Sequence, residues 1–206
     1  MSNNIRTAKA RTPAGPDRRK VVAALLQDRG NALVVTGLGS PTYDACAAGD
    51  HPLNFYLWGA MGGAAMVGLG LALAQPKRRV LVITGDGEML MGLGSLATIA
   101  VDAPKNLAIA VINNGHYGET GMQRAHTGRG VDLTGMARAA GFRSATTIRT
   151  QAALKLWITK FHRQPGPVFG DIKVSAIPAP MVLPVRDGTA IRHRFRTALL
   201  GADALN

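Results

Sequence analysis

The sequence predicts an α/β protein with a doubly wound parallel sheet. Short apolar runs rich in β-branched residues, such as residues 80–83 and 108–112, alternate with longer segments of helical periodicity. Two of these runs end in polar turns, at residues 85–87 and 113–115. The 206 residues, of which 47% are hydrophobic, are enough for one domain with a full core. A β-α-β-α-β order favours a parallel sheet with helices on both faces.

The amino-terminal half is predicted to hold two strands and three helices. Residues 1–16 are predicted to form a flexible basic arm, and Asp17 is a typical cap for the helix that follows. Pro76 lies just past the end of a helix rich in glycine and alanine. The predicted elements are a helix to about residue 29, a strand over 32–35, a short helix over 42–48, the Gly/Ala-rich helix over 60–73 and a strand over 79–84.

The carboxyl-terminal half continues the alternation. Residues 115–131 contain five glycines and are predicted to form an active-site loop or lid. The other predicted elements are a helix near 92–101, strands over 107–112, 143–148 and 167–174, and helices over 132–140, 150–163 and 189–200. The domain organisation predicted from this order is one α/β domain over residues 17–180 and a basic extension over 181–206.

The net charge of +12 is concentrated near the two ends of the chain, where Arg18, Arg19, Arg194 and Arg196 are examples. No recognition motif accompanies this charge, and aromatic residues make up only 5% of the chain, so we expect no nucleic-acid binding. Cys46 is the only cysteine, which excludes an internal disulfide framework and favours a reducing, cytoplasmic setting. Residues 1–20 lack the apolar stretch of a signal peptide.

Residues 57–74 form an uncharged stretch of eighteen residues, the lower limit for a membrane span. The stretch is rich in glycine and alanine and lies between strand-like segments. A helix packed tightly against other protein explains these features better, so we predict no membrane span.

Asp86 and Asn114 follow directly on two neighbouring strands of the predicted sheet. Ligands of open α/β sheets bind at the carboxyl ends of the strands. Carboxylate and amide oxygens are suited to Mg²⁺ or Ca²⁺, and the glycines beside them let backbone N–H groups approach phosphate oxygens. The pair therefore predicts a site that holds a metal ion and a diphosphate.

Four segments together resemble the thiamine diphosphate-dependent 2-oxoacid decarboxylase family, and in particular the diphosphate-binding β subunits of sulfopyruvate- and phosphonopyruvate-type decarboxylases. They are residues 36–41 (TGLGSP), 55–62 (FYLWGAMG), 85–87 with 113–114 (GDG and NN), and 117–123 (YGETGMQ). The resemblance covers roughly residues 20–175 and implies the thiamine diphosphate-binding fold. Ala60 departs from the pattern, because the family usually has serine there.

The resemblance assigns roles to individual residues. Asp86, Asn114 and the backbone carbonyl of His116 are the implied Mg²⁺ ligands. Backbone N–H groups of Gly87 and Glu88 are implied to hold diphosphate oxygens. The full cofactor-binding set that it implies is Thr36, Gly37, Leu38, Gly59, Met61, Gly85, Asp86, Gly87, Glu88, Asn114, Tyr117, Gly118 and Glu119.

The resemblance also implies four catalytic positions. Met61 is expected between the two cofactor rings, where it enforces a bent conformation, and the carbonyl of Gly59 is expected to accept from the pyrimidine amino group. The ring of His116 is a candidate acid–base group. Some relatives use a glutamate just beyond the Asn-Asn motif in proton transfer, and either Glu119 or Thr120 occupies that place.

A partner subunit is expected because one required group is missing. In the family, a glutamate on a separate pyrimidine-binding domain contacts the aminopyrimidine. This chain has two glutamates, Glu88 and Glu119, and both lie beside the metal and diphosphate motifs. The resemblance therefore implies a hetero-oligomer, such as α₂β₂ or larger, in which an α subunit supplies the glutamate.

The substrate is expected to be a small anionic 2-oxoacid, with Arg124 or Arg129 as candidates to meet a second anionic group. The motifs bind cofactor without choosing the reaction, so a carboligase or C–C lyase subunit similar to acetolactate synthase remains an alternative. A degenerate subunit that uses the fold as a scaffold is a third hypothesis.

Overall fold

The computed structural model describes residues 15–205, without the side chain of Leu205. The predicted basic arm, residues 1–16, lies outside this range except for its last two residues. The strands in chain order are β1 (Leu33–Thr36), β2 (Asn54–Tyr56), β3 (Val80–Gly85), β4 (Leu107–Asn113), β5 (His116–Tyr117), β6 (Gln123–Arg124), β7 (Ser144–Ile148) and β8 (Val168–Lys173).

The main sheet of the described residues contains six parallel strands in the order β2-β1-β3-β4-β8-β7. β5 and β6 form a separate antiparallel hairpin. The doubly wound parallel sheet predicted from the sequence is therefore confirmed. β2 was not predicted as a strand, because three residues are too few to show an alternating pattern.

Helices cover both faces of the sheet. The helices are α1 (Arg18–Gln27), α2 (Ser40–Ala47), α3 (Ala64–Ala74), α4 (Asp86–Met91), α5 (Ser95–Asp102), α6 (Leu133–Ala139), α7 (Gln151–Arg163) and α8 (Gly188–Leu200). Leu25 of α1 and Phe161 of α7 belong to the apolar core on one face, and Leu69 of α3 and Ile99 of α5 belong to the core on the other. Burying apolar side chains on both faces is the main force that stabilises this three-layer arrangement.

The Gly/Ala-rich helix starts at Ala64, four residues later than predicted. Gly59 and Gly62 have φ angles of 71° and 92°, which lie in the left-handed region and prevent a continuous right-handed helix. Met61 therefore lies in a loop that precedes the helix. Within the described residues no helix is long and apolar enough to cross a membrane.

The helix predicted near residues 92–101 is α5 in the structure, and the short helix α4 that precedes it was not predicted. α4 begins directly at Asp86, and α5 begins at Ser95 after a turn that contains Gly92 and Gly94. A side chain at Gly92 would overlap the carbonyl of Gly62, so glycine permits the close approach of these two loops. This contact brings the Met61 loop next to α4.

The carboxyl-terminal helix α8 packs beside β2 at the edge of the sheet. Phe195 contacts Phe55 with ring centroids 5.6 Å apart, and Arg194 forms an ion pair with Asp50 at 2.6 Å. Residues 176–187 connect β8 to α8 without regular secondary structure. The carbonyl of Val185 in this segment accepts a hydrogen bond from the Trp58 indole at 3.1 Å.

Two glycines of α3 give a matched test of this packing. A Cβ at Gly68 would overlap Cγ2 of Val82, which is buried on β3, whereas a Cβ at Gly70 would meet no atom within 4 Å. We expect Gly68→Ala to lower the free energy of unfolding by about 1–3 kcal/mol, because the core is overpacked. Gly70→Ala should raise it by up to ~1 kcal/mol, because alanine favours the helix. Urea unfolding of both variants measures the difference, and equal stabilities would contradict the packing described.

Candidate active site

A cavity of about 200 Å³ lies at the carboxyl ends of β3 and β4. Eleven of the sequence-predicted site residues line it: Leu38, Met61, Gly85, Asp86, Gly87, Glu88, Asn114, His116, Tyr117, Gly118 and Glu119. The sheet explains why they meet, since β3 and β4 are neighbouring parallel strands and their turns leave the same edge.

Asp86 is the first residue of α4 and is only 2% exposed. Its Oδ2 accepts a hydrogen bond from the Thr127 hydroxyl, which ties the glycine-rich loop to the end of β3. Burial raises the pKa of Asp86 above its ordinary value, although the bond from Thr127 acts in the opposite direction. A buried carboxylate is costly unless it is paired, so this position is suited to a bound cation.

Asn114 and His116 form a tight turn at the end of β4. The side-chain oxygen of Asn114 accepts from the backbone N–H of His116 at 2.9 Å, and His116 Nδ1 lies 2.8 Å from the Asn114 carbonyl. Gly115 between them has a φ of 69°. The Gly115 carbonyl accepts a hydrogen bond from the Ala125 N–H. Because successive carbonyl groups of an antiparallel strand point in opposite directions, the His116 carbonyl faces away from β6.

Glu88 is buried rather than directed at solvent. Its Oε2 accepts from the Thr84 hydroxyl at 2.7 Å, whereas its Oε1 is buried without a hydrogen-bond partner among the described residues. The nearby backbone N–H groups of Gly62 and Ala64 act to lower its pKa. Burial is the largest influence on its pKa, which is raised. A Cβ at Gly37 would overlap the Glu88 carboxylate, so the two residues are in contact. Glu88 therefore joins α4 to the loop after β1 and to the Met61 loop.

Three predicted cofactor residues do not line the cavity. Thr36 is buried, with its hydroxyl 2.6 Å from that of Thr42, and Gly37 is covered by Glu88. The Thr42 hydroxyl also donates to the Gly37 carbonyl at 2.7 Å, which fixes the loop. Gly59 has open space around it. Thr36 and Gly37 stabilise the loop that follows β1, and their contact with the cofactor stays a prediction.

Glu119 lies at the mouth of the cavity and is exposed. Its Oε2 accepts from the Tyr43 hydroxyl at 3.2 Å, and burial raises the pKa of Tyr43 above its ordinary value. Tyr117 packs over Gly87, where a Cβ would lie 2.6 Å from the ring, and its hydroxyl is 2.9 Å from Nδ1 of His126. Glycine at position 87 therefore lets the ring approach the start of α4.

The loop arginines do not reach the cavity. Arg124 is exposed and donates to the carbonyl of Gly128, and Arg129 is exposed in a 3₁₀ turn over Thr127–Arg129. Neither contributes to the lining, so their predicted contact with the substrate is not supported by their positions. The lining also contains Thr120, the alternative to Glu119, and four residues to which the sequence assigned no individual role: Arg18, Ser40, Pro41 and Ile112. Ser40 and Pro41 belong to the recognised TGLGSP segment, whereas Arg18 has no local signal.

The residues of the site fit a divalent cation with a diphosphate. The unpaired, buried carboxylate of Asp86 and the amide of Asn114 line one cavity, and among the described residues no ion pair neutralises Asp86. Among those residues no three His, Cys, Asp or Glu side chains cluster as a metal site. A donor set of one carboxylate, one amide and a backbone carbonyl suits Mg²⁺, which keeps substrate phosphates among its ligands.

Residues 38–172 match the family described as thiamine pyrophosphate enzyme, C-terminal TPP binding domain. The chain is 36% identical over 184 residues to the sulfopyruvate decarboxylase subunit beta of Methanothermobacter thermautotrophicus, covering 88% of this chain and 92% of that protein. It is 43% identical over 135 residues to the phosphonopyruvate decarboxylase of Streptomyces viridochromogenes, covering 65% of this chain and 34% of that one.

The fold is similar to that of the thiamine diphosphate-dependent 4-hydroxybenzoylformate decarboxylase of Rhodococcus jostii RHA1. The TM-score is 0.63 at 20% sequence identity, and the match covers 84% of this chain and 35% of that chain. This likeness concerns the fold alone. The chain thus spans about a third of the length of the last two proteins and nearly the whole of the beta subunit.

Proposed function

The chain belongs to the thiamine pyrophosphate enzyme family, as a TPP-dependent decarboxylase beta subunit, and from that premise we propose that it is the diphosphate-binding subunit of a split 2-oxoacid decarboxylase. The substrate we propose is a 2-oxoacid with a second anionic group, such as sulfopyruvate or phosphonopyruvate. The observation that supports this proposal best is the cavity that joins Asp86, Asn114 and Met61 in a chain matching 92% of a sulfopyruvate decarboxylase beta subunit.

Asp86, Asn114 and the carbonyl of His116 would hold Mg²⁺, and the start of α4 would hold the diphosphate. Asp86, Gly87 and Glu88 are the first residues of α4, so their N–H groups have no partner within the helix. Thiamine diphosphate, when bound, supplies the electron sink for loss of CO₂ from a 2-oxoacid. The protein's part is to anchor the charged end and to exclude water around the reacting end.

Met61 is positioned by its loop rather than by core packing. Its side chain lines the cavity and is 41% exposed, so the core does not account for its place. The close contact of Gly62 with Gly92 holds the loop against α4. This contact supports the role of Met61 as the residue that separates the two cofactor rings.

A partner subunit is part of this proposal, since both glutamates of the chain lie beside the metal and diphosphate motifs. Glu88 is buried against Thr84, and Glu119 is bonded by Tyr43. The outer surface of α3 and α5 supports a partner, because it exposes apolar side chains. They are Met66 and Leu73 of α3 and Val101 of α5. Covering such a surface would favour association.

The reaction can be tested with the complex of this chain and its partner. Release of CO₂ should be measured for sulfopyruvate, phosphonopyruvate, oxaloacetate and pyruvate, with product analysis by NMR. We expect the highest kcat/KM for a substrate with a sulfonate or phosphonate group, and an aldehyde as product. A complex that instead joins two 2-oxoacid molecules into a larger product would contradict the proposal and favour the carboligase alternative.

A further inference from the structure

Arg18 is a buried cation to which the proposed reaction assigns no role. It is the first residue of α1, directly after the helix cap Asp17, and is 7% exposed. The Nη1 group of Arg18 donates a hydrogen bond to Oδ2 of Asp44 at 2.8 Å. Asp44 lies on α2 and is fully buried. The guanidinium is therefore fixed in orientation by a partner on one side.

The other side of Arg18 lines two adjoining cavities. The first is the cavity of about 200 Å³ that contains Asp86 and Met61. The second, of about 190 Å³, is covered by residues 176–181. The residues common to both linings are Arg18, Ser40, Asn114, Gly118 and Glu119. Arg18 thus lies where the candidate active site opens into a second space.

Charge distinguishes Arg18 from the rest of the lining. Among the described residues that line the two cavities, it is the only lysine or arginine. Arg19, its neighbour, is bound to the other oxygen of Asp44 at 3.1 Å and donates to the Pro180 carbonyl, and it does not line either cavity. Two arginines share one carboxylate, so one positive charge remains uncompensated within this group.

We propose that Arg18 binds the distal anionic group of the substrate, a sulfonate, a phosphonate or a second carboxylate. This inference rests on the proposed function. With one Nη1 N–H committed to Asp44, the guanidinium keeps other N–H donors for a bidentate contact with an oxyanion. The diphosphate is a less suitable occupant, because Asp86, Gly87 and Glu88 do not line the second cavity. The substrate would then extend from the reacting end towards residues 176–181.

The test compares Arg18→Gln with the control Arg19→Gln in the complex with the partner subunit. Both variants remove a cation that Asp44 binds, but only the first removes a cation from the cavity. We expect Arg18→Gln to raise KM for sulfopyruvate roughly 10- to 100-fold, as loss of a charged hydrogen bond does, and to change KM for pyruvate less than about threefold. Arg19→Gln should leave both KM values near those of the unmodified complex.

A binding measurement separates this inference from the reaction itself. Calorimetry with 3-sulfopropanoate, which lacks the oxo group, should show binding to the unmodified complex and to Arg19→Gln but weaker binding to Arg18→Gln. Arg18→Lys, which keeps the charge but loses the fork of donors, should restore part of the affinity. If the complex decarboxylates no 2-oxoacid yet shows this binding pattern, the proposed function fails and the anion site stands.

Two outcomes would overturn the assignment. An equal loss of kcat/KM for sulfopyruvate and pyruvate would mean that Arg18 is structural, and the double variant Arg18→Gln/Asp44→Asn, which leaves no stranded carboxylate, shows whether the loss comes from misfolding. A higher dissociation constant for thiamine diphosphate, with unchanged 3-sulfopropanoate affinity, would assign Arg18 to the cofactor instead.

Discussion

Replacing Asp86 with alanine is expected to reduce the turnover of the complex by at least ~100-fold, since even residues that only support metal ligands cost 10- to 100-fold when removed. The carboxylate is buried, lines the cavity and has no ion-pair partner among the described residues. Steady-state kinetics with Mg²⁺ varied measures the effect. Asp102→Ala, at an exposed position at the end of α5, is the control and should retain full activity.

The variant Asp86→Asn separates metal binding from folding. Because burial raises the pKa of Asp86, its ionised form is disfavoured in the folded protein. Its favourable contribution to stability is present at low pH and is lost as the pH rises through the raised pKa. At neutral pH without metal, Asn at this position should therefore leave the melting temperature unchanged or raise it, while activity falls. A variant with lower stability and full activity would remove the metal assignment.

The isolated chain is expected to bind thiamine diphosphate with Mg²⁺ only weakly and to release no CO₂ from any 2-oxoacid. The described residues of the cavity include the proposed diphosphate contacts and Met61, but Glu88 and Glu119, the two glutamates of the chain, lie beside the metal and diphosphate motifs. Calorimetric titration with and without the partner measures the difference. Tight one-to-one binding by the chain alone would contradict a divided site.

Two leucine variants can locate the surface that binds the partner subunit. Leu73 on α3 is 54% exposed and belongs to the apolar face of α3 and α5, whereas Leu156 on α7 is 75% exposed on the opposite face of the sheet. Leu73→Glu should weaken assembly and cofactor binding together, because burying an unpaired charge is costly. Leu156→Glu should affect neither. Analytical ultracentrifugation of both variants with the partner provides the readout.

The sequence predicted those parts of the structure that depend on residues close together in the chain. β3 and β4 carry long β-branched runs, so the meeting of Asp86 and Asn114 at one edge followed from strand order alone. The start of α3 was misplaced because the φ angles of Gly59 and Gly62 depend on the contact with α4.

The site residues that the sequence missed depend on contacts between distant segments. Arg18 is 26 residues from Asp44, and nothing in its local pattern shows which way the side chain is held. The burial of Glu88 depends on Gly37 and Gly62, which lie on other loops. Such contacts require the folded chain to be known.

The contact of Gly37 with Glu88 has a consequence for how this site can change. A methyl group at position 37 would occupy the space of the Glu88 carboxylate, and a shorter residue at position 88 would leave the Thr84 hydroxyl without its acceptor. Neither residue can therefore be substituted independently of the other. A library that aims at new substrates should therefore vary residues 37 and 88 as a pair, and should screen the combinations rather than the single changes.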